Sequence, residues 1–277
     1  MIGTAKKLTF ALGAAAVVCL AQTGASAAEN KNTWGIGVEG FRDVYKEPDL
    51  DVDVKTNYGA VDGYYQRKLS KKMFFAADGR VSYGTDDYSS PSGQLSGVPQ
   101  WEAELRLRVG TSFQFWGGEM SPYIGIGSRW FLDKGKGNFT NTGAEAYDRR
   151  INQWYIPVGT SLSYETADGW SITPQAEADF MFYGLVDTRL TNLVGTGVQY
   201  LDPAYNDQHF GIGLRSELMF GKQMGNYTVQ MGPFVRYWYV NKSDTVTYFD
   251  TAGNPAVDVY EPKNNRTQLG VKLRVLW

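Results

Sequence analysis

The chain has 277 residues, 27 basic and 29 acidic side chains, and a formal net charge of −2. That balance, with no basic tract, gives no footing for nucleic acid, and a lone cysteine, Cys19, excludes a disulfide framework. Aromatics reach 14% and glycines number 32, yet no run approaches the ~20 apolar residues of a membrane-spanning helix.

The N-terminal stretch reads as a targeting signal. Lys6 and Lys7 precede an apolar segment from Leu8 to Ala21, and Ala25-Ser26-Ala27 supplies a small-residue cleavage site. Residues 1–27 are therefore expected to be a cleaved secretory signal peptide, and residues 28–277 a single domain. Cleavage would remove Cys19, leaving no thiol chemistry in the mature chain.

Ten strands follow, near 33–43, 56–68, 73–83, 100–115, 121–132, 152–165, 170–183, 208–220, 226–240 and 266–277. A strand sends successive side chains to opposite faces. In the fourth, Trp101, Ala103, Leu105, Leu107, Val109, Thr111, Phe113 and Phe115 oppose Glu102, Glu104, Arg106, Arg108, Gly110, Ser112 and Gln114. The seventh sets Trp170, Ile172, Pro174, Ala176, Ala178, Phe180 and Phe182 against Ser171, Thr173, Gln175, Glu177 and Asp179. The eighth sets Phe210, Ile212, Leu214, Ser216, Leu218 and Phe220 against Gly211, Gly213, Arg215, Glu217 and Met219. The second and third alternate less cleanly. At the end of the chain Thr267, Leu269, Val271, Leu273, Val275 and Trp277 oppose Gln268, Gly270, Lys272, Arg274 and Leu276.

Connections alternate in length. Tight turns at 69–72, 116–120, 166–169 and 221–225 alternate with long polar stretches at 44–55, 84–99, 133–151, 184–207 and 241–265. Long loops on one side and short turns on the other predict an all-β, antiparallel, up-and-down transmembrane β-barrel of about ten strands, termini on the periplasmic side. A soluble β-sandwich has no reason to keep this rhythm. A hairpin hidden in 184–207 or 241–265 would change the count to eight or twelve.

With the apolar faces outward, the lumen collects eight acids: Glu39, Asp62, Asp78, Glu102, Glu104, Glu177, Asp179 and Glu217. It also collects nine bases: Arg80, Arg106, Arg108, Arg129, Arg215, Arg236, Arg266, Lys272 and Arg274. A ten-stranded barrel is near the size that side chains fill, so these charges are expected to pair and plug it; a narrow polar pore is the other reading. Trp34, Trp101, Trp116, Trp130, Trp154, Trp170, Trp238 and Trp277, at strand ends, are expected to form two interfacial girdles.

The loops offer weaker signals. Glu47, Asp49, Asp51 and Asp53 read as a solvated acidic loop and not as a calcium array, which needs six to eight ordered oxygens. Lys134, Lys136, Arg149 and Arg150 could meet lipopolysaccharide phosphates. Asp207-Gln208-His209, with Asp86 and Asp87, is similar to the Asp-His and Asp-Asp pairs of the omptins, ten-stranded outer-membrane proteases that activate a water. Here the two aspartates are adjacent, not separated by one residue, and the Trp- and Ser-containing surroundings of those loops are missing. A lipid A deacylase needs a His-Ser pair, and Ser216 lies well down the strand from His209.

Several stretches carry a family likeness: Pro122–Trp130 (PYIGIGSRW), Thr142–Ala144 (TGA), Tyr147–Arg150 (YDRR), Tyr155–Gly159 (YIPVG), Pro233–Trp238 (PFVRYW) and Glu261–Leu273 (EPKNNRTQLGVKL). Over its whole mature length the chain resembles a family of uncharacterised bacterial outer-membrane β-barrel proteins, loosely akin to the opacity/OmpA-like small barrels. The resemblance implies outer-membrane location and insertion by the barrel-assembly machinery, which reads a terminal aromatic, here Trp277 where phenylalanine is commoner. It implies no reaction. The expected protein is thus a monomeric integral barrel with a structural or narrow passive-channel role, in contact with outer-membrane lipid and lipopolysaccharide. No catalytic, cofactor-binding or metal residues are assigned. A surface protein acting through its loops is one alternative, and an omptin-like outer-membrane protease is the other.

Overall fold

The computed structural model describes residues 31–193 and 204–277; the expected signal peptide lies outside them. Fourteen strands are present among these residues: β1 (Asn32–Glu47), β2 (Val52–Lys68), β3 (Met73–Ser90), β4 (Gly93–Thr111), β5 (Phe113–Phe115), β6 (Gly118–Lys134), β7 (Asp148–Glu165), β8 (Trp170–Thr188), β9 (Ala204–Gln208), β10 (Gly211–Met224), β11 (Tyr227–Val240), β12 (Val246–Phe249), β13 (Pro255–Val259) and β14 (Asn264–Leu276). β5 continues the stave of β4 and β9 that of β10. The wall therefore has ten staves, each antiparallel to its neighbours.

The wall closes on itself. β8 pairs with β10, and β14 pairs with β11 on one side and β1 on the other. Trp277 and Trp34 exchange backbone hydrogen bonds of 2.9 and 3.0 Å at the seam. Closure leaves no strand edge in the wall to template pairing with another chain. The hidden hairpin expected as a possibility in 241–265 exists, as β12 and β13, but it forms a separate two-stranded sheet and adds no stave.

Period-2 alternation survives into burial. Along β4, Trp101, Leu105, Leu107 and Val109 are exposed on the outside while Glu102, Glu104 and Arg108 are buried within. Trp101–Thr111 supplies the ~9–11 residues a tilted strand needs to cross hydrocarbon. Paired aromatics mark both ends of this outer apolar band: Tyr83 with Trp101 and Trp130 with Trp154 at one end, Trp34 with Tyr65 and Phe115 with Trp116 at the other. Trp116 and Gly117 both have positive φ, 47° and 80°, as a two-residue hairpin turn of the right twist requires.

Trp238 departs from the girdle expectation. It is 3% exposed, points inward and meets Tyr155 edge-on at 5.2 Å. Its register explains this, since Phe234, Arg236, Trp238 and Val240 occupy one buried face of β11. The weak alternation of β2 and β3 has the same origin: Tyr58, Ala60, Phe74 and Ala76 are apolar residues on the inner face. Gly127 and Gly159 make room for this inner layer. A Cβ at Gly127 would lie 2.3 Å from the Tyr155 ring, and one at Gly159 2.6 Å from the Tyr123 hydroxyl.

Two of the five long connections are not loops. β1 and β2 run on until only residues 48–51 separate them, and β3 and β4 are joined through Pro91 and Ser92. Alternation persists there in polar residues, so composition reads as loop what pairing makes strand. Glu47 and Asp53 accordingly sit on opposite faces: Glu47 is buried, while Asp53 lies near Lys46 and Lys55. Asp49 pairs with Lys263 at 2.9 Å. The third connection, 135–147, folds onto the β3–β4 turn, with Asn141 donating its backbone N–H to the Gln94 carbonyl at 2.9 Å.

Candidate functional site in the barrel lumen

Every one of the seventeen charged residues assigned to the lumen by alternation points inward. Glu39, on β1, is the hub of the lower network. Arg236 grips it with two hydrogen bonds of 3.0 and 2.9 Å, Lys272 stands at 3.1 Å and Arg80 at 3.5 Å. Lys272 also reaches Glu217 at 2.9 Å. The strands that carry these groups are far apart in sequence, but the wall sets them around one axis.

A second hub is Arg215, on β10. It contacts Glu104 across the lumen at 2.5 Å, Asp179 at 2.5 Å and Glu177 at 3.2 Å. Arg106 bridges Asp78 and Glu177, Arg108 reaches Asp78 at 2.9 Å, and Arg274 pairs with Asp62. Arg80 links the two hubs through Glu104 at 3.5 Å and also holds Glu102 at 2.7 Å. Planar guanidinium forks suit this work, because each can serve several carboxylates at once.

Sequence reasoning missed the uncharged members and one acid, Asp43. Tyr155 donates to Glu104 at 2.6 Å, Tyr123 to Glu177 at 2.8 Å and Tyr58 to Gln100 at 2.7 Å. Gln268 donates to Glu102 at 2.8 Å and to Asp43 at 3.0 Å. A signal was available: Asp43 is four residues from Glu39, and Gln268 four from Lys272, so each shares its neighbour's face. Together these groups leave a lower cavity of about 20 Å³, walled by Glu39, Asp62, Arg80, Arg215 and Lys272 among others. That is room for about one water.

Above the outer aromatic row lies a separate cluster. Arg149 binds Glu261 at 3.1 Å, Asp133 at 3.2 Å and Glu47 at 3.5 Å, and Tyr45 donates to Glu47 at 2.6 Å. Burial holds the Glu261 carboxyl above the usual carboxylate range, and the Glu47 charge adds to this against the opposing pull of Arg149. Arg149 is thus engaged by carboxylates, while Lys134 and Lys136 are exposed.

The omptin-like constellation does not assemble. Asp86 and Asp87 lie on β3 and not in a loop, on opposite faces, Asp86 buried and Asp87 exposed. They cannot share one water. His209 is exposed in the two-residue link between β9 and β10, and Ser216 faces outward, ~23 Å further along at 3.3 Å per residue.

Asp86 has a different property. Burial, with the Asp133 charge in addition, pushes its carboxyl up to about 7, although Gln100 donates to it at 2.8 Å. A raised acid stabilises the fold fully below its unfolded value near 4 and loses that contribution as pH rises through about 7. Asp86→Asn is expected to abolish this part of the pH dependence. Unfolding curves from pH 4 to 8 should show the wild type losing stability relative to the variant across that window; parallel curves would contradict it.

No family model matches the chain, and no curated protein matches it. Among solved structures it is similar to the translocator domain of the autotransporter NalP from Neisseria meningitidis, at 8% identity, 89% coverage of both chains and a TM-score of 0.42. It is similar also to the beta domain of the Bordetella autotransporter BrkA, at 13% identity, 87% and 98% coverage and a TM-score of 0.41. The Pseudomonas putida toluene transporter TodX matches at 10% identity, 90% coverage of each and a TM-score of 0.33. At these scores no function transfers from any of them.

Proposed function

We propose that the chain is a monomeric, non-catalytic integral barrel of the bacterial outer membrane whose lumen is sealed, so that its role is structural. The observation that carries this reading is the continuous ion-pair network from Glu39 to Arg215, which leaves a cavity of only about 20 Å³. Porins of about sixteen strands leave an aqueous channel, whereas about eight strands can be filled by side chains; ten staves with inward ion pairs lie nearer the filled end, which supports the sealed reading. The outer apolar band and its aromatic rows support a lipid setting. Residues 1–27 would supply export and Trp277 the signal read by the barrel-assembly machinery. The likeness of its motifs to opacity/OmpA-like barrels agrees with this setting.

Planar-bilayer recording decides between the sealed barrel and the narrow channel. Purified protein is expected to give no openings above background in molar salt. Reproducible unitary steps would overturn the sealed reading and favour a pore whose selectivity the lumen charges set.

A second reading draws on the loop ends. Phe139, Tyr205 and Phe249 are exposed beyond the outer aromatic row, where no apolar band accounts for them. They support a surface role through the connections 135–147 and 241–263 and the outer end of β9, tested by deleting residues 246–259 and measuring binding of whole cells to surfaces.

A further inference from the structure

The short-turn end of the barrel carries its positive charge on one side. Around the turn between β2 and β3 stand Arg67, Lys68, Lys71 and Lys72, all four exposed. None of them makes an ion pair among the described residues. No acidic side chain lies between Asp62 and Asp78 in the chain, and those two are buried in the lumen. The acids of this rim are elsewhere. Glu119 stands on β6, two staves from β3, and Glu165 and Asp168 belong to the end of β7 and its turn to β8, four staves round the ring.

Apolar side chains share the basic patch. Leu69 is 55% exposed and Met73 52%, on either side of Lys71 and Lys72. Met73 has the outer face of β3 in common with Val81 and Tyr83, so the patch continues into the apolar band. Arg67 lies two residues beyond Tyr65 on the outer face of β2, and the Tyr65 ring meets that of Trp34 with centres 4.3 Å apart. At 3.3 Å per residue the Arg67 side chain starts ~7 Å beyond this aromatic pair. Such a row marks the level where hydrocarbon gives way to headgroups. A basic side chain just outside it reaches headgroup phosphates while its stem stays on the apolar surface.

Four neighbouring cations without an acid favour an anionic layer. A soluble acidic partner would also have to cover Leu69 and Met73, whereas lipid covers them as it covers the rest of the band. We propose that the β2–β3 turn is a headgroup site for anionic phospholipid of the periplasmic leaflet. The basic side chains hold the phosphate, and Leu69 and Met73 enter the acyl boundary. The inference rests on the membrane setting proposed above.

A fluorophore on Thr111→Cys, opposite Met73 in the β3–β4 register, reads the lipid at this point. The barrel, carrying Cys19→Ser, is reconstituted in phosphatidylcholine vesicles, and doxyl-labelled phosphatidylglycerol or phosphatidylcholine is added as quencher. Phosphatidylglycerol is expected to be preferred by about fivefold or more, the effect of about one surface cation. In ~1 M sodium chloride, where the Debye length is ~3 Å, the ratio should shrink toward one. Arg67→Gln, Lys71→Gln and Lys72→Gln combined should have the same effect at low salt. Lys134→Gln with Lys136→Gln, exposed at the opposite end, should leave the ratio unchanged. Equal quenching by the two lipids without these substitutions overturns the proposal and favours a soluble acidic partner; a preference that survives the triple variant overturns it too. Quenching by neither lipid would place the turn outside any bilayer and overturn the membrane reading as well.

Discussion

Glu39→Gln is expected to lower the unfolding free energy by about 3–5 kcal/mol, because it strips a carboxylate from three buried cations at once. Arg236 suffers most. Its remaining acid is Glu217 at 3.6 Å, whereas Lys272 keeps Glu217 at 2.9 Å and Arg80 keeps Glu102 at 2.7 Å. The double variant Glu39→Gln, Arg236→Met should therefore recover part of the loss, since removing both partners relieves the orphaned charge. Urea unfolding of the refolded barrel in micelles measures both. A double variant no better than the single one would show that the pair is not coupled. The network is not offered as a source of net stability: a well-packed apolar interior could do as well. Its proposed consequence is closure of the lumen.

Arg149→Ala is expected to release the segment 241–263 from the barrel mouth, at about 3 kcal/mol of local stability. It removes the one cation shared by Glu261, Glu47 and Asp133, whose carboxylates would then repel each other. The segment retains other ties. Asn206 donates to the Asp244 and Val259 carbonyls at 3.2 and 3.0 Å, and Tyr248 donates to the Thr188 carbonyl. The release should thus appear as local opening and not as unfolding of the wall. Limited proteolysis reads it directly: cleavage within 241–263 should accelerate in the variant while the ten staves remain protected. Equal cleavage in both proteins would show that Arg149 does not hold the segment.

The inner charges were legible in the sequence because charge and period 2 coincide. Along β4, Glu102, Glu104, Arg106 and Arg108 alternate with Ala103, Leu105 and Leu107, which puts all four charges on one strand face. Trp238 was not legible. An aromatic on an inner face has the same letter as an aromatic in a girdle, and only its register with Arg236 separates the two. Phe41, Tyr58, Phe74 and Phe234 were hidden likewise, since burial against the lumen charges, not lipid, is what they satisfy. The outer ends of β1 to β4 were lost for the opposite reason: polar residues on both faces carry no hydropathy contrast, and only backbone pairing extends the strand. The Arg149–Glu261 contact joins residues 112 apart in the chain, beyond the reach of any local pattern.

The central claim is a barrel with an apolar outside and a filled, charged inside, and single-cysteine labelling along β4 tests it most directly. The only native cysteine, Cys19, lies in the expected signal peptide, and Cys19→Ser gives a clean background. Cysteines at 103, 105, 107 and 109 in the vesicle-embedded protein should react with a bilayer-confined maleimide and resist a water-soluble one. Cysteines at 102, 104, 106 and 108 should resist both. Water-soluble labelling at the outward positions would contradict the barrel, and at the inward positions it would contradict the sealed lumen.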